Sequence, residues 1–158
     1  MAPVLSGERI FSTDPLRVHR QPVKYLVDAN VLSEPTKPSP DPGAMAWLAA
    51  NAAEMATNAI VLGEIEYGIL ITPDGRKRRR LQEWFATGVQ KLHMLNFDSA
   101  TASAWARLLA GLRKAGKAMP IKDSLIAASA LAFDLEVVTR NERDFRTAGV
   151  RVINPFTA

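Results

Sequence analysis

The sequence lacks cysteine entirely and has only two histidines, His19 and His93, among its 158 residues. Without cysteine the chain has neither a disulfide framework nor a thiolate metal site, and two histidines are too few to build a zinc site from imidazoles. Any metal ion that the protein binds must therefore be held by oxygen ligands.

Long hydrophobic runs are also missing. No stretch is apolar over the length that a membrane span needs. The first two dozen residues lack the apolar core of a signal peptide, because charges interrupt them at Glu8, Arg9, Asp14 and Arg17. We therefore expect a cytoplasmic protein with no membrane attachment.

The chain carries only a mild excess of positive charge. The formal net charge is +4, but five of the twenty basic residues fall together from Arg76 to Arg80. A run of this kind is most often a solvated helix face. It can also attract a polyanion such as RNA, or an acidic protein partner, where the net charge barely would. The sequence leaves these three interpretations open.

Composition and length predict one domain. The chain is 47% apolar and 23% charged, which is typical of a globular protein, and 158 residues suffice for one compact core. Residues 1–23 show no sustained periodicity and contain Pro3, Pro15 and Pro22, so they are predicted to form an irregular arm. Residues 24–158 are predicted to form the domain.

Strands alternate with helices along this domain. Short apolar runs predict strands at 25–28, 55–57, 91–96, 136–139 and 150–154, and periodicity predicts helices at 44–51, 59–71, 76–89, 98–116 and 121–135, with a proline-rich loop at 36–43. The helix at 59–71 is apolar on nearly every side, so we expect it to be buried. The alternation predicts an α/β fold whose mostly parallel sheet carries helices on both faces.

An aspartate ends the first predicted strand. Asp28 directly follows "YLV", which places its carboxylate at the carboxyl edge of the sheet, where ligands bind in such folds. The plainer interpretation is that Asp28 only caps the following helix through Asn30 or Val31.

Two glutamates lie on the apolar helix at 59–71. At helical spacing Glu64 emerges between apolar neighbours, and a buried carboxylate is costly unless it is paired, protonated or bound to a metal. Glu66 has similar neighbours. The periodicity does not choose between them, and either glutamate can instead be an ordinary ion-paired side chain.

Asp123 and Asp144 complete the acidic candidates. Asp123 opens the apolar run "DSLIAASALAF" and is either a functional carboxylate or an N-cap, whereas Asp144 follows the fourth strand and has a surface pair with Arg140 or Arg143 as its plainer interpretation. The parallel topology places all these positions on one rim. Clustered carboxylates repel one another, and a hard divalent cation is the usual resolution.

Four motifs carry a family resemblance. "YLVDANVLSE", "GEIEYGI", "PIKDSLIAASA" and "VTRNERDF", in this order, resemble the PIN-domain ribonucleases, and in particular the VapC-type toxins of bacterial toxin-antitoxin pairs. The loop "SEPTKPSPDP" and the terminal "INPF" are similar to the FitB-like subgroup. The resemblance runs from about Lys24 to the C-terminus and implies a PIN-like three-layer fold with a five-stranded sheet and an acidic pocket.

The resemblance also implies which residues act. It assigns the acidic positions to Asp28, Glu64, Asp123 and Asp144, and so chooses Glu64 over Glu66. Asn30, Thr139 and Asn141 match its supporting polar residues. The family's usual threonine after the first aspartate is Ala29 here, which removes one side-chain hydrogen bond but no acidic position.

The implied activity is that of a divalent-metal-dependent endoribonuclease. An all-oxygen site suits Mg²⁺ or Mn²⁺, and a water molecule activated there attacks an RNA phosphodiester. We expect Asp28, Asp123 and Asp144 to be ligands, directly or through water, and Glu64 to be a ligand or a base. The implied partners are RNA and a cognate antitoxin, in a homodimer or a larger toxin-antitoxin assembly.

The antitoxin is expected to dock in an apolar groove. The candidate residues are Trp47, Leu81, Trp84 and Phe85. These aromatic residues can instead be ordinary core, which is the favoured interpretation for Phe85. A further expectation of the resemblance is that residues 1–22 are dispensable, with Val23 as an alternative start.

Two other functions compete with this one. The first is a PIN-like module that binds RNA or a partner without cleavage, against which the complete set of carboxylates argues. The second is a phosphohydrolase, because "DANVL" resembles the D-x-D-x-[TV]-L motif of haloacid-dehalogenase-like enzymes, although Asn30 stands where that motif needs its acid.

Overall fold

The computed structural model describes residues 22–157. Its single sheet has five strands, all parallel, in the spatial order β3-β2-β1-β4-β5. The strands are β1 (Tyr25–Val27), β2 (Met55–Asn58), β3 (His93–Leu95), β4 (Glu136–Val138) and β5 (Val152–Ile153). The predicted α/β fold with a five-stranded parallel sheet is confirmed.

Seven α-helices lie within the described residues. They are α1 (Ala29–Leu32), α2 (Pro42–Asn51), α3 (Ala59–Leu70), α4 (Arg76–Thr87), α5 (Ser99–Lys114), α6 (Ile121–Phe133) and α7 (Glu142–Thr147). Short 3₁₀ turns occupy Glu34–Thr36, Ala52–Glu54 and Val89–Lys91. Helix α2 begins inside the predicted proline-rich loop, because Asp41 caps it by accepting from the Ala44 amide.

The core lies around the two central strands. Leu26 and Val27 of β1 and Val137 and Val138 of β4 are fully buried, which is typical of parallel strands covered on both faces. Strands β1 and β4 pair in register over Leu26 and Val137. Apolar side chains of α3 and α6, including Val61 and Ile126, pack into the same core.

Helix α3 is only partly buried, so the prediction of full burial is wrong. Its buried side chains are Val61, Ile65 and Ile69, which repeat every four residues and form a single stripe. Tyr67 is 66% exposed and Leu70 50%. A helix packed against one side of a sheet has room for only one stripe in the core, so the other apolar residues remain on the surface.

The order of the strands places a crevice at the centre of the sheet. From β1 the chain proceeds to β2 and β3 on one side and later returns to β4 and β5 on the other. The switch point is therefore the junction of β1 with β4, where the Asp28 amide donates to the Val138 carbonyl oxygen at 2.9 Å. In open parallel sheets ligands bind at this junction, outside the carboxyl ends of the strands.

The first described residues join the domain directly. Val23 packs against the core, and the Lys24 amide donates to the Glu54 carbonyl oxygen. The rest of the predicted arm, residues 1–21, lies outside the described residues, so its dispensability stays a prediction. Within residues 22–157 no helix has the length and apolarity required to cross a membrane.

Candidate active site

Asp28 is buried at the end of β1 and accepts several hydrogen bonds. One carboxylate oxygen accepts from the Ala29 amide at 2.8 Å, which makes Asp28 the N-cap of α1. The other oxygen accepts from the Thr139 hydroxyl at 2.7 Å, across the junction of β1 with β4. Asp28 is thus a helix cap, though through Ala29 rather than Asn30 or Val31, and it also lies in the crevice.

Asn30 and Thr139 form a polar frame around Asp28. The Asn30 side-chain amide donates to Thr139 Oγ1 at 3.3 Å and to Asp28 at 3.4 Å. The Asn30 side-chain oxygen Oδ1 accepts from the Arg140 backbone amide, and Thr139 Oγ1 accepts from the Asn141 backbone amide. These bonds join the segments that follow β1 and β4, so the Asp28 carboxylate is held in one orientation.

Glu64 projects from the second turn of α3 and pairs with Lys122. Its Oε1 lies 2.7 Å from the Lys122 ammonium, which comes from the first turn of α6. Its Oε2 is buried and has no hydrogen-bond partner among the described residues. Glu66, the alternative in the sequence, is exposed.

A buried asparagine fixes α3 relative to α6. Asn58 ends β2 and caps α3 by accepting from the Val61 amide at 3.0 Å, and its side-chain amide donates to Ser129 of α6. Glu64 lies on α3 and Asp123 on α6, so this hydrogen bond helps to hold together the two helices that carry these carboxylates.

Asp123 and Asp144 lie on either side of Asn141. The Asn141 side-chain amide donates to Asp123 at 3.1 Å and to Asp144 at 3.0 Å. Helix α6 begins at Ile121 with Pro120 as its N-cap, so Asp123 is not an N-cap. The structure records no ion pair of Asp144 with Arg140 or Arg143 among the described residues.

The charges of these carboxylates affect one another's pKa. Burial raises the pKa of Asp28 above its ordinary value, and the charge of Glu64 adds to this, against hydrogen bonds from Thr139 and Ala29 that lower it. Burial also raises the pKa of Asp123, with further contributions from Asp28, Asp144 and Glu64. Lys122 opposes both shifts, and its own pKa is raised by Glu64.

The donor set fits a hard divalent cation. The candidate ligands are all carboxylate oxygens, and the buried Glu64 Oε2, which has no hydrogen-bond partner among residues 22–157, is a group that a metal ion satisfies well. In the arrangement seen here, however, no three Asp, Glu or His side chains within residues 22–157 form a ready-made metal cluster. The Lys122 ammonium contacts Glu64, and the Asn141 side-chain amide bridges Asp123 and Asp144.

The residues predicted for the antitoxin groove do not all lie together. Phe85 belongs to the core, as its alternative interpretation held, and Trp47 packs edge-on against the Tyr25 ring with centroids 5.0 Å apart. Leu81 and Trp84 line two adjoining cavities of about 580 and 340 Å³. We call these two cavities, which share Thr36, Leu81 and Trp84, the Trp84 groove.

We call the edge of the crevice that carries Asp28, Glu64, Asp123 and Asp144 the acidic rim. The Trp84 groove runs from basic residues to this rim. Lys77 and Arg80 line one end, and Asn30 and Glu64 line the other.

Two residues near this rim were not singled out from the sequence as part of the site. Lys122 could have been noticed in the sequence because it directly precedes Asp123 at the start of a helix. Its pairing with Glu64 could not, because the two residues are 58 positions apart and form no local pattern. Arg140 lies 4.7 Å from the centre of the Phe156 ring, a contact that also joins distant segments.

The fold and the acidic rim together define the class of this protein. It is a parallel α/β protein with an acidic crevice at its topological switch point. The PIN domain pattern matches residues 25–150, and the chain therefore belongs to the PIN-domain family. Nucleases of this family are in general metal-dependent.

This chain matches three curated relatives over nearly their whole length. The plasmid stability protein StbB of Pseudomonas syringae is 36% identical over 84% of this chain and 99% of its own. The VapC ribonuclease Y4jK of Sinorhizobium fredii and the toxin FitB of Neisseria gonorrhoeae are each 33% identical over 83% of this chain, and over 96% and 97% of their own.

Solved structures show the same fold. The FitAcB crystal structure from Neisseria gonorrhoeae superposes with a TM-score of 0.79 at 31% identity and covers 85% of this chain and 99% of its own. A FitAB structure bound to a fragment of IR36 DNA matches with a TM-score of 0.79 at 30% identity, over 85% of this chain and 96% of its own.

Proposed function

We propose that the protein is the toxin of a toxin-antitoxin pair and acts as a divalent-metal-dependent endoribonuclease. The observation that carries the proposal is the acidic crevice at the β1–β4 junction, where Asp28, Asp123 and Asp144 are each positioned by a neighbouring polar side chain. Relatives named as ribonuclease and toxin, which match over almost their full length, support the same activity. The reaction takes place in the cytoplasm, where RNA is present.

The four carboxylates would hold Mg²⁺ or Mn²⁺, with Asp28, Asp123 and Asp144 as ligands, directly or through water. When bound, such an ion neutralises the phosphate and lowers the pKa of a water molecule. Glu64 would be a further ligand or, at Oε2, the base that takes the proton of the attacking water.

The polar residues orient the acids. Thr139 and Asn30 hold the Asp28 carboxylate towards the crevice, and Asn141 aligns Asp123 with Asp144. None of these neutral groups adds charge. Their role is to fix the reacting geometry before RNA arrives, which lowers the entropic part of the barrier.

The antitoxin is the second partner, and we assign it to the Trp84 groove. The exposed parts of Leu81 and Trp84, together with Pro35 and Pro38, offer apolar contacts, and Lys77 and Arg80 favour an acidic segment. Because the groove continues to Glu64, an occupant would block access of RNA to the acidic rim. The assembly contains the toxin as a homodimer or in a larger complex with its antitoxin.

Purified protein incubated with RNA and with a phosphate monoester, with and without a chelator, tests the function. We expect Mn²⁺-dependent RNA cleavage that the chelator abolishes and that Asp123→Asn lacks. Ester hydrolysis without RNA cleavage would instead select a phosphohydrolase. RNA binding without cleavage at any metal concentration would select a non-catalytic module.

A further inference from the structure

Lys122 is a cation inside the acidic rim. Its ammonium contacts Glu64 at 2.7 Å, and Asp28 and Asp123 are near enough to influence its charge. The side chain is half exposed, so the ammonium lies at the opening of the crevice rather than in the core. A lysine ammonium carries its full charge at neutral pH.

The position of Lys122 conflicts with metal ligation by Glu64. An ammonium ion and a divalent cation both need the same carboxylate, and two cations held at one site repel each other strongly. This ion pair leaves Glu64 with one occupied oxygen, and no three acidic side chains within residues 22–157 form a ready cluster. A divalent cation at the second oxygen, Oε2, would lie close to the Lys122 ammonium, so Lys122 opposes metal binding at Glu64 unless its side chain moves away.

We propose that Lys122 is a resident counter-ion, which takes the place of the divalent cation at Glu64 and passes to the RNA phosphate when the ion binds. The inference rests on the proposed ribonuclease function. In the metal-free protein Lys122 offsets part of the repulsion among the carboxylates. In the loaded protein the released ammonium, on its flexible four-carbon chain, is a positioning residue for the anionic substrate.

The chain supplies a matched control for this lysine. Lys24 pairs with Glu54 at the same distance, 2.7 Å, and both pairs are partly exposed. Lys24 is at the start of β1, at the opposite end of the strand from Asp28. Lys24→Met and Lys122→Met therefore remove the same charge and the same kind of ion pair, but only the second change is made at the rim.

Mn²⁺ binding to the full chain is measured by the rise in melting temperature across a titration. For Lys122→Met we expect the apparent dissociation constant for Mn²⁺ to fall by about fivefold or more, because no cation has to be displaced. Lys122→Arg, which keeps the charge, should retain most of the wild-type value. Lys24→Met should leave it unchanged.

RNA cleavage at saturating Mn²⁺ gives the second measurement. Loss of the phosphate contact in Lys122→Met should raise KM for RNA about tenfold with a smaller change in kcat, and Lys122→Arg should restore much of the affinity. Lys24→Met should resemble the wild type in both parameters.

Each result bears on a separate part of the proposal. An unchanged or weaker Mn²⁺ affinity in Lys122→Met would overturn the displacement of Lys122 by the metal. A tighter Mn²⁺ affinity with an unchanged KM would overturn the transfer to phosphate. Wild-type protein that binds Mn²⁺ and cleaves no RNA would overturn the proposed ribonuclease instead, and the Mn²⁺ titration would still decide the displacement.

Discussion

Single residues at the rim serve structure and chemistry together. Asp28 caps α1 and accepts from Thr139, yet burial raises its pKa, so the fold stabilises its orientation more than its charge. A carboxylate kept only as a cap would be better placed in solvent. Asp98 is such a cap, since it accepts from the Thr101 amide and hydroxyl and these bonds lower its pKa.

Asp28→Asn separates the two roles of this side chain. In the metal-free protein the change should be neutral or mildly stabilising, because it removes repulsion and retains some capping ability. It should abolish RNA cleavage and reduce the rise in melting temperature with Mn²⁺. Melting curves across a Mn²⁺ titration check this, and an undiminished rise would mean that Asp28 has only a structural role.

The pH dependence of stability reports on Asp123. Its pKa is raised in the fold, so its contribution to stability is fully present below the ordinary value of 3.8 and is lost as the pH rises through the folded-state pKa. Asp123→Asn should therefore gain stability relative to the wild type as the pH rises from about 4 towards neutrality in the presence of chelator. Urea unfolding at several pH values measures the difference, and a difference that does not vary with pH would contradict the raised pKa.

Whole elements were largely predictable because their periodicity is local. All five strands and helices α2 to α6 were predicted. In the structure Asp98 caps α5, and Gly116 follows its last turn with a φ of +68°. The exposure of Tyr67 on α3 was not predicted, because periodicity does not reveal how much of an apolar helix the sheet can cover. Pairings between distant elements, such as Lys122 with Glu64, also leave no local signal.

The two faces of α4 provide a test of antitoxin docking. Lys77 and Arg80 line the Trp84 groove, whereas Arg76 and Arg79 are exposed and do not line it. Within residues 22–157 none of these four cations forms an ion pair with a carboxylate. The helix thus offers two double variants with the same loss of charge and different positions.

Lys77→Ala with Arg80→Ala should weaken binding of the co-expressed antitoxin by about tenfold or more, and Trp84→Ala should act in the same direction. Arg76→Ala with Arg79→Ala should bind nearly as the wild type does. Affinity measured on the purified pair checks this. Equal weakening by both double variants would indicate general charge attraction rather than docking in the groove.

At the scale of the whole molecule, the last described residues pack against two segments that are distant in the sequence. Thr157 bonds to the Asp41 carboxylate that caps α2, and the Phe156 ring packs under the Arg140 guanidinium. Arg140 in turn donates its backbone amide to Asn30 at the crevice. The C-terminal residues thereby connect α2 with the acidic rim, although the two are far apart in sequence.

Gly43 lies where this connection is tightest. A Cβ atom at Gly43 would come within 2.5 Å of both the Pro155 carbonyl oxygen and Thr157 Cγ2, and the first of these is backbone that cannot easily move. Gly43→Ala should therefore destabilise the protein by about 1–3 kcal/mol, as overpacking does. It should also reduce RNA cleavage, because displacement of residues 155–157 removes the packing of Arg140 beside the rim.

Gly111 of α5 is the matched control for Gly43. A Cβ there meets no atom within 4 Å, so Gly111→Ala should stabilise the protein by roughly 0.5–1 kcal/mol through the helix propensity alone. Urea unfolding gives both free energies, and cleavage assays compare the two variants at saturating Mn²⁺. If Gly43→Ala proved as stable and active as Gly111→Ala, the C-terminal residues would not contribute to the rim, and the acidic site would depend on the β1–β4 junction alone.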